Sequence, residues 1–484
     1  MSPVDVNNMN WTVCPDCQGQ GKKSRRLRKK VRLHYLNAMA AFDKAGGNGT
    51  EPVRPKGHLE SCVSCAGSGL CESLEPTPVK AEQYPHVAII GAGIGGVALA
   101  VACLHRGIPF TLYERDAGFN VRSQGYGLTL QQASKAIEGF GVFSLDDGVV
   151  STRHVVHTPE GKKVAEWGMR KWRASSDQAT VKRTNVHIAR QSLRFALLEQ
   201  LGGASHVKWG HQLLSVVQHK DAPAELTFAV DGRQIHVSAD LIVGADGIRS
   251  TVRKQLLCDE KAPLQYLGCI VILGICPLSD LPKCDHDLLD SATVFQTANG
   301  NERIYVMPFD AKTVMWQLSF PMPESEAMAL SQQGAEALKA EAILRTQWHD
   351  PIPQIVSATQ ASRVSGYPVY DRALLDAGWL QKNPQATLIG DAAHPMSPFK
   401  GQGANQALLD ALSLARDMTK GCWRQSHWRE MGIRESVLNE FEEEMLARSA
   451  VKVTDSAAAA EFLHSDIVLY EGDEPRGRVL DRMK

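Results

Sequence analysis

The stretch that decides the fold is His86-Val87-Ala88-Ile89-Ile90-Gly91-Ala92-Gly93-Ile94-Gly95-Gly96. An apolar run that ends in closely spaced glycines is typical of a buried strand that turns into a helix whose first amides face a pyrophosphate. Residues 110–114 add a second strand-like run, and it ends in a carboxylate placed to accept hydrogen bonds from a ribose. The alternative is a glycine turn that only permits close helix packing. The pattern as a whole predicts a dinucleotide site that uses Gly91, Gly93, Gly95, Gly96 and Glu114.

Length and composition indicate a globular protein of two or three domains. The chain has 484 residues, of which 43% are hydrophobic, and its formal net charge is zero. A neutral chain gives no general reason to expect a nucleic acid or a membrane as its partner. No apolar run approaches the roughly 18 residues that span a bilayer, and no secretory leader is evident, so we expect a cytoplasmic protein. The 11 cysteines are then expected to be thiols or metal ligands.

Two further motifs stand downstream of the glycine-rich stretch. Residues 239–253 combine a buried-strand pattern with Asp246-Gly247, which turns the strand end toward the crevice where doubly wound sheets bind ligands. Residues 388–395 read LIGDAAHP and are followed by GQGAN at residues 401–405. In order and separation the three motifs resemble the FAD-dependent aromatic hydroxylases, the flavoprotein monooxygenases of the p-hydroxybenzoate hydroxylase type. The resemblance covers about residues 84–420.

This resemblance implies an α/β fold with interleaved domains. We expect a Rossmann-like FAD-binding domain over residues 84–260 and 365–420. An antiparallel-sheet substrate domain is expected over residues 261–364, together with part of residues 150–185. A helical tail over residues 421–484 and a small N-terminal module over residues 1–83 complete the predicted organisation.

The resemblance also assigns cofactor-binding roles to residues that match the family's motifs. The third motif contributes an aspartate that bonds a ribityl hydroxyl, and a helix that directs its positive end at the flavin pyrimidine ring. The second motif serves the flavin pyrophosphate and the docking of NADPH or NADH. The implied FAD-binding residues are Gly91, Gly93, Gly95, Gly96, Glu114, Arg115, Arg190, Asp246, Asp391, Gly403 and Asn405.

The implied activity is hydroxylation of an aromatic or other electron-rich small molecule by NADPH or NADH and O2. In such enzymes the oxygen comes from a flavin C4a-hydroperoxide, so no protein nucleophile is required. His394 is a weak candidate for a catalytic base, because a histidine in this motif more often packs or bonds backbone. No other base is identified by the sequence. Candidate walls of an aromatic pocket are Tyr305, Met307, Trp316 and Leu318.

The N-terminal module holds two CxxCxGxG units and no convincing run of strands. The units contribute Cys14 with Cys17 and Cys62 with Cys65, and they are similar to the zinc-finger repeats of DnaJ-type co-chaperones. Four thiolates make one closed tetrahedral site, which predicts a structural zinc whose removal leaves the flavin domain largely intact. The alternatives are two unrelated thiol pairs or a redox dithiol.

The segment between the two cysteine units is basic. Residues 22–36 carry most of its Lys and Arg, with apolar residues at helical spacing, which predicts a basic helix. A nucleic-acid partner is not expected, because the charge run is short and no aromatic residues interleave it for base stacking. The same features favour a solvated helix carried on a zinc-bound hairpin. A protein partner for this head is the remaining functional hypothesis. It supports an alternative function, a non-hydroxylating flavoprotein sensor or adaptor that acts through the head.

Overall fold

The computed structural model describes residues 10–25, 27–46, 50, 52–53, 55, 57–121, 126–171, 185–219, 222–257, 261–282, 286–423, 425–475 and 477. The expected contribution of residues 150–185 to the substrate domain therefore lies partly outside the described residues. No helix in the described ranges is long and apolar enough to cross a membrane.

The N-terminal head is built from short paired strands and one helix. Its elements are β1 (Asn10–Val13), β2 (Lys22–Ser24), α1 (Lys29–Lys44), β3 (Leu59–Ser61) and β4 (Leu70–Ser73). Strand β1 pairs with β4 and β2 pairs with β3, both antiparallel. The prediction that the head lacks strands is wrong, because pairs of three or four residues are too short to show an alternating pattern. Helix α1 buries none of its residues.

The first half of the body alternates strands and helices. Its elements are β5 (Val87–Ile90), α2 (Ile94–Leu104), β6 (Phe110–Tyr113), β7 (Gly127–Leu130), β8 (Val149–Val150), β9 (Arg153–His157), β10 (Lys163–Trp167), β11 (Val186–Ala189), α3 (Arg190–Gln200), β12 (Val207–Lys208), β13 (Gln212–Val217), β14 (Ala224–Val230), β15 (Arg233–Ala239), β16 (Leu241–Gly244) and α4 (Thr251–Leu256). Helix α3 begins at Arg190, which the resemblance implies is an FAD-binding residue.

The second half supplies the long strands and the closing helices. Its elements are β17 (Leu264–Pro277), β18 (Thr293–Ala298), β19 (Arg303–Asp310), β20 (Thr313–Pro321), α5 (Glu324–Gln332), α6 (Ala335–Arg345), α7 (Ile352–Ala358), β21 (Val364–Arg372), α8 (Ala377–Leu380), β22 (Ala386–Leu388), α9 (Gly403–Gly421), α10 (Trp428–Met431) and α11 (Asn439–Phe462).

A five-stranded parallel sheet carries the glycine-rich stretch. Its order is β12-β6-β5-β16-β22, so the strand that precedes Gly91 lies beside the strand that precedes Asp246. Every residue of β5 and β16 is buried, as expected for parallel strands covered on both faces. The three sequence motifs therefore meet at one edge, where the carboxyl ends of β5, β16 and β22 lie side by side.

A seven-stranded sheet forms the other wall of the molecule. Its order is β10-β9-β18-β19-β20-β17-β21, and all of its pairs are antiparallel except β9 with β18. Helices α5, α6 and α7 cover one face, where Trp316, Leu318 and Phe320 form a core with Ile352 and Ile355. The opposite face looks toward the parallel sheet.

The C-terminal helix α11 packs along the body. Phe441 and Met445 belong to the same core as the parallel sheet. The turn that precedes the helix contains Arg434, whose guanidinium donates to the backbone oxygens of Asn383 and Ala386 and pairs with the buried Glu442 carboxylate. This buried cation connects the tail to the loop that leads into β22.

Replacing Arg434 should destabilise the protein strongly. Arg434→Met leaves Glu442 buried without a counter-ion and two backbone oxygens without donors, so we expect the free energy of unfolding to fall by about 3–5 kcal/mol. The matched control is Lys420→Met, which breaks the exposed pair with Glu440 and should cost less than about 1 kcal/mol. Urea unfolding of both variants measures the difference, and equal losses would contradict the role given to the buried pair.

Candidate functional site

A cavity of about 1060 Å³ lies between the carboxyl edge of the parallel sheet and the inner face of the seven-stranded sheet. One end is bordered by the glycine-rich loop, the loop after β22 and the start of α9. The other end is bordered by side chains of β9, β11, β18, β19 and β20. A single space thus joins the predicted cofactor site to the predicted substrate domain.

The glycine-rich loop requires its glycines for three different reasons. A Cβ on Gly91, whose φ is +104°, would lie 2.6 Å from the backbone oxygen of Ala245. A Cβ on Gly96 would lie 1.9 Å from the oxygen of Gly91, which no side chain can tolerate. At Gly93 the same test meets only the Arg190 guanidinium, at 3.9 Å. The loop is thus closed by backbone contacts at its two ends and open toward the cavity at Gly93, as a bound pyrophosphate requires.

The carboxylate of Glu114 faces the same loop. Its oxygens accept hydrogen bonds from the backbone amides of Ala92, at 2.8 Å, and Asp116, at 3.1 Å. These bonds hold an acidic group beside the helix start, where the family places the ribose. The neighbouring Arg115 is exposed.

The side chain of Asp246 caps helix α4. Its carboxylate accepts from the amides of Thr251, at 2.6 Å, and Val252, at 3.2 Å, and from the Ser250 hydroxyl. Burial raises the pKa of this carboxyl, against the lowering effect of those donors. The cavity is bordered by the neighbours Ala245 and Gly247. Asp246 therefore shapes the turn beside the cleft through its cap.

The loop after β22 presents Asp391 to the cavity. The Asp391 side chain is exposed to the cavity. The protein around the cavity desolvates its carboxyl, and this desolvation raises the pKa of Asp391. Gly403 opens α9 beside it, since a Cβ there would lie 3.5 Å from Asp391 Oδ1. The first turn of α9 borders the cavity, so the positive end of the helix dipole faces the cleft. This turn contains no acidic residue.

Asn405 holds the start of α9 in place. Its amide oxygen accepts from the backbone amides of Gln131, at 2.8 Å, and Ala133, at 3.1 Å. Its amide nitrogen donates to the oxygens of Thr129, at 2.9 Å, and Gly401, at 2.8 Å. Because these four bonds use the hydrogen-bonding capacity of the side chain, Asn405 fixes the helix against β7.

His394 supports the loop after β22 from the side that faces away from the cavity. Its Nε2 lies 2.7 Å from Oδ2 of Asp410, which also accepts from the amide of Gly390 at 2.9 Å, while Oδ1 accepts from Arg448 at 2.9 Å. Burial alone would lower the pKa of His394, but the adjacent Asp410 carboxylate raises it. The imidazole does not border the large cavity. This geometry is that of a positioning residue.

Two of the four residues that the sequence predicts as walls of the aromatic pocket border the cavity. Tyr305 and Met307 border it, whereas Trp316 and Leu318 belong to the core under helices α5, α6 and α7. Trp316 donates to the Thr359 hydroxyl at 2.9 Å on that side. The prediction for Trp316 and Leu318 is wrong, because both faces of β20 are buried and apolarity does not tell them apart. The residues of β20 that face the cavity are Met315 and Gln317.

Arg303 is the polar feature of the pocket that the sequence did not reveal. It is buried, and its Nε donates to Gln296 Oε1 at 2.8 Å while its guanidinium lies 4.9 Å from the centre of the Tyr305 ring. Within the described ranges no carboxylate pairs with it. Burial lowers its pKa to about 10, so it stays charged at neutral pH. The only sequence signal is a cation at the start of a strand, which is commonly a surface residue.

The four cysteines of the head meet at one point. The sulfurs of Cys14, Cys17, Cys62 and Cys65 all lie within 4.8 Å of one another, and all four residues are buried. The amides of Gly21 and Gly69 point at the sulfurs of Cys17 and Cys65, each at 3.2 Å. The geometry suits a tetrathiolate metal site.

Comparison with known proteins agrees with this geometry. Residues 84–422 match the family model described as an FAD binding domain. The chain belongs to this family. A similar protein is aurachin C monooxygenase/isomerase of Stigmatella aurantiaca, 31% identical over 68% of this chain and 79% of the relative. Another is 3-amino-4-hydroxybenzoate 2-monooxygenase of Streptomyces cremeus, 28% identical over 68% of this chain and 77% of the relative.

Solved structures share the fold at lower identity. The 2,6-dihydroxypyridine-3-hydroxylase of Arthrobacter nicotinovorans has a TM-score of 0.63 at 18% identity and covers 83% of this chain and 99% of its own. Klebsiella pneumoniae HpxO, solved with FAD and uric acid, has a TM-score of 0.62 at 19% identity over 82% and 91% of the two chains. Together with the family match, the relatives confirm the sequence prediction of an FAD-dependent monooxygenase. The head precedes the matched residues.

Substitution of Gly96 should weaken the binding of FAD. Gly96→Ala forces the loop apart, because the added methyl overlaps the oxygen of Gly91, and we expect FAD affinity to fall at least about tenfold. Gly118→Ala is the control, since a Cβ there meets nothing within 4 Å. The ratio of flavin absorbance to protein absorbance after desalting measures the effect. Full flavin occupancy in Gly96→Ala would refute this account of the loop.

Proposed function

We propose that the protein is an NAD(P)H-dependent FAD monooxygenase that hydroxylates an aromatic small molecule carrying a negative charge. The observation that carries this proposal is the single cavity, which joins the glycine-rich loop and Asp391 at one end to an aromatic and cationic pocket at the other. Bound FAD would accept a hydride from NADPH or NADH and activate O2 for the transfer of one oxygen atom.

The chain's own residues prepare the cofactor end for this chemistry. The N-terminus of α9, whose first turn carries no acidic residue, favours negative charge on the flavin pyrimidine ring, where reduction places it. Arg190 borders the same space, with its guanidinium 5.4 Å from the centre of the Tyr126 ring. Asp391 offers a carboxylate for a ribityl hydroxyl. The two sheets that flank the cavity limit the access of water to the reacting atoms.

The substrate end selects for an anion through Arg303. A buried guanidinium without a carboxylate partner is costly unless a ligand supplies the charge. The two histidines that border this end do not compete with Arg303, because burial lowers the pKa of His187 to about 3 and that of His154 to about 4, so both imidazoles are neutral. His187 is held by the Thr129 hydroxyl at 3.0 Å. A carboxylate or phenolate on an aromatic ring fits this environment, with Tyr305 and Met315 against the ring.

The activity test is a compound screen on the holoenzyme. Anionic aromatic compounds are added with NADPH or NADH, and consumption of the reduced nucleotide is followed together with the mass of the product. We expect at least one compound to stimulate consumption and to gain one oxygen atom. A protein that binds no FAD, or that oxidises NAD(P)H at the same rate with every compound and yields no oxygenated product, would refute the proposal.

The charge preference is tested at Arg303. Arg303→Gln removes the cation and keeps a hydrogen-bonding group, so KM for a carboxylate-bearing substrate should rise at least about tenfold, the range of a lost buried charge pair. The amide analogue of the same substrate should change by less than about threefold. Arg233→Gln, on the exposed strand β15, is the control. Equal changes for the acid and the amide would contradict the anion site.

A second proposal concerns the four clustered cysteines. They hold one structural zinc ion, because four buried thiolates close a tetrahedral site and leave no position open for substrate. Elemental analysis should find about one zinc per chain. Cys65→Ser should lose it, while Cys71→Ser, beside the cluster but outside the set of four, should keep it.

A further inference from the structure

The four-cysteine cluster lies against two arginines of the FAD-binding domain. Arg106 follows helix α2 and has no exposed surface, at 0%, and Arg416 lies near the end of α9. Arg106 donates from Nη2 to the oxygen of Gly19 at 3.3 Å and from Nη1 to Ala102 at 3.0 Å. Arg416 donates from Nη2 to the oxygen of Ser68 at 3.0 Å. Gly19 and Ser68 belong to the two cysteine units, so each arginine contacts one unit.

These two cations have no carboxylate partner within the described residues. Neither forms an ion pair there, and the Nε atoms of both are buried without a hydrogen-bond acceptor. The two guanidiniums are also close enough to repel each other. The acidic groups near Arg106 are the thiols of Cys17 and Cys103 and the Tyr84 hydroxyl. Those near Arg416 are the thiols of Cys17 and Cys65 and the Asp417 carboxyl, which forms no ion pair with it, so Cys17 of the cluster lies near both arginines. Two positive charges that are close together and largely removed from water need a counter-ion.

We propose that a zinc tetrathiolate is this counter-ion, and that zinc binding in the head is thereby coupled to FAD binding in the body. Zn²⁺ with four thiolates carries a formal charge of −2, which balances the two guanidiniums. The metal centre thus stabilises the contact between the head and the flavin domain. From the sequence we expect removal of the zinc to leave the flavin domain largely intact, because the head is treated as a separate unit. The contacts of Arg106 and Arg416 with the head argue against this separation.

The contact is too close for the head to be a loosely attached unit. A Cβ on Gly21 would lie 2.2 Å from the backbone oxygen of Gly67 and 2.7 Å from Arg416 Nη2, so the guanidinium lies directly against the cysteine unit. Gln20 Nε2 donates to the backbone oxygen of Arg416 at 2.9 Å. On the other side of the interface the Trp11 ring lies 4.6 Å from the Phe143 ring.

The two helices that carry these arginines lead to the predicted flavin site. Helix α2 starts at the glycine-rich loop and α9 starts beside Asp391, whereas their other ends meet the head. They span about 16 Å and about 28 Å at 1.5 Å per residue. They also touch near the cavity, because a Cβ on Gly95 would lie 3.3 Å from the Cβ of Ala407. Loss of the dianion leaves the Arg106 and Arg416 charges without a counter-ion on the side of both helices that faces away from the cavity. This coupling rests on the proposed FAD site and extends it.

The test measures zinc and FAD affinity on the full chain. In wild type, removal of zinc by a chelator should weaken FAD binding at least about tenfold, and added zinc should restore it. The double variant Arg106→Met/Arg416→Met removes the countercharge and should bind zinc at least about tenfold more weakly in competition with a chromogenic chelator. Arg106→Lys/Arg416→Lys keeps both charges and should recover most of the affinity. Arg233→Met is the exposed control.

The outcomes separate this inference from the proposed function. If zinc-loaded protein binds no FAD, the proposed function fails. If it binds FAD but zinc removal leaves FAD affinity unchanged, or if the Met variant binds zinc as wild type does, the coupling is refuted. Should the double variant not fold by circular dichroism, the single Arg416→Met, at the less buried position, provides the zinc measurement. Metal-free wild type with full FAD affinity would also overturn the inference.

Discussion

The close backbone contact between the ends of β5 and β16 is the constraint on which the rest of the structure depends. Gly91 lies against the oxygen of Ala245, and Gly96 lies against the oxygen of Gly91, with no space for a side chain at either position. This contact aligns the carboxyl ends of the central strands and directs the start of α2 toward the cleft. The loop after β22 joins the same edge, where Asp391 and the first turn of α9 complete the cofactor wall.

Two buried charge systems hold this wall from behind. Asp410 accepts from His394, Gly390 and Arg448, so the tail helix α11 stabilises the loop that carries Asp391. Arg434 ties the segment before the same helix to the loop that leads into β22. On the opposite side Arg106 and Arg416 present their charges to the cysteine cluster. In each case a charge removed from water requires a partner from a distant part of the chain.

The pocket end follows a different principle. Its shape comes from β19 and β20, which are buried on both faces, and its polarity comes from Arg303 and the neutral histidines His154 and His187. A buried charge between neutral imidazoles creates a localised field, and such a field can recognise one charge on a small ligand. In the proposed function, backbone geometry therefore holds the cofactor at one end of the cavity, and the Arg303 charge selects the substrate at the other.

The sequence by itself determined the features that depend on local geometry. Glycines at set spacing, an apolar strand pattern and paired cysteines impose the same backbone in any context, so the dinucleotide loop and the convergence of Cys14, Cys17, Cys62 and Cys65 could be inferred without a structure. Tertiary structure alone decided which face of β20 meets the cavity and that the side chains of Asp246 and Asn405 form their hydrogen bonds at helix ends. It also decided that Arg303 and Arg106 are buried and that, within the described residues, neither of them nor Arg416 forms an ion pair with a carboxylate. These properties depend on contacts between residues far apart in the chain, and the charge or apolarity of a single position carries no information about its distant neighbours.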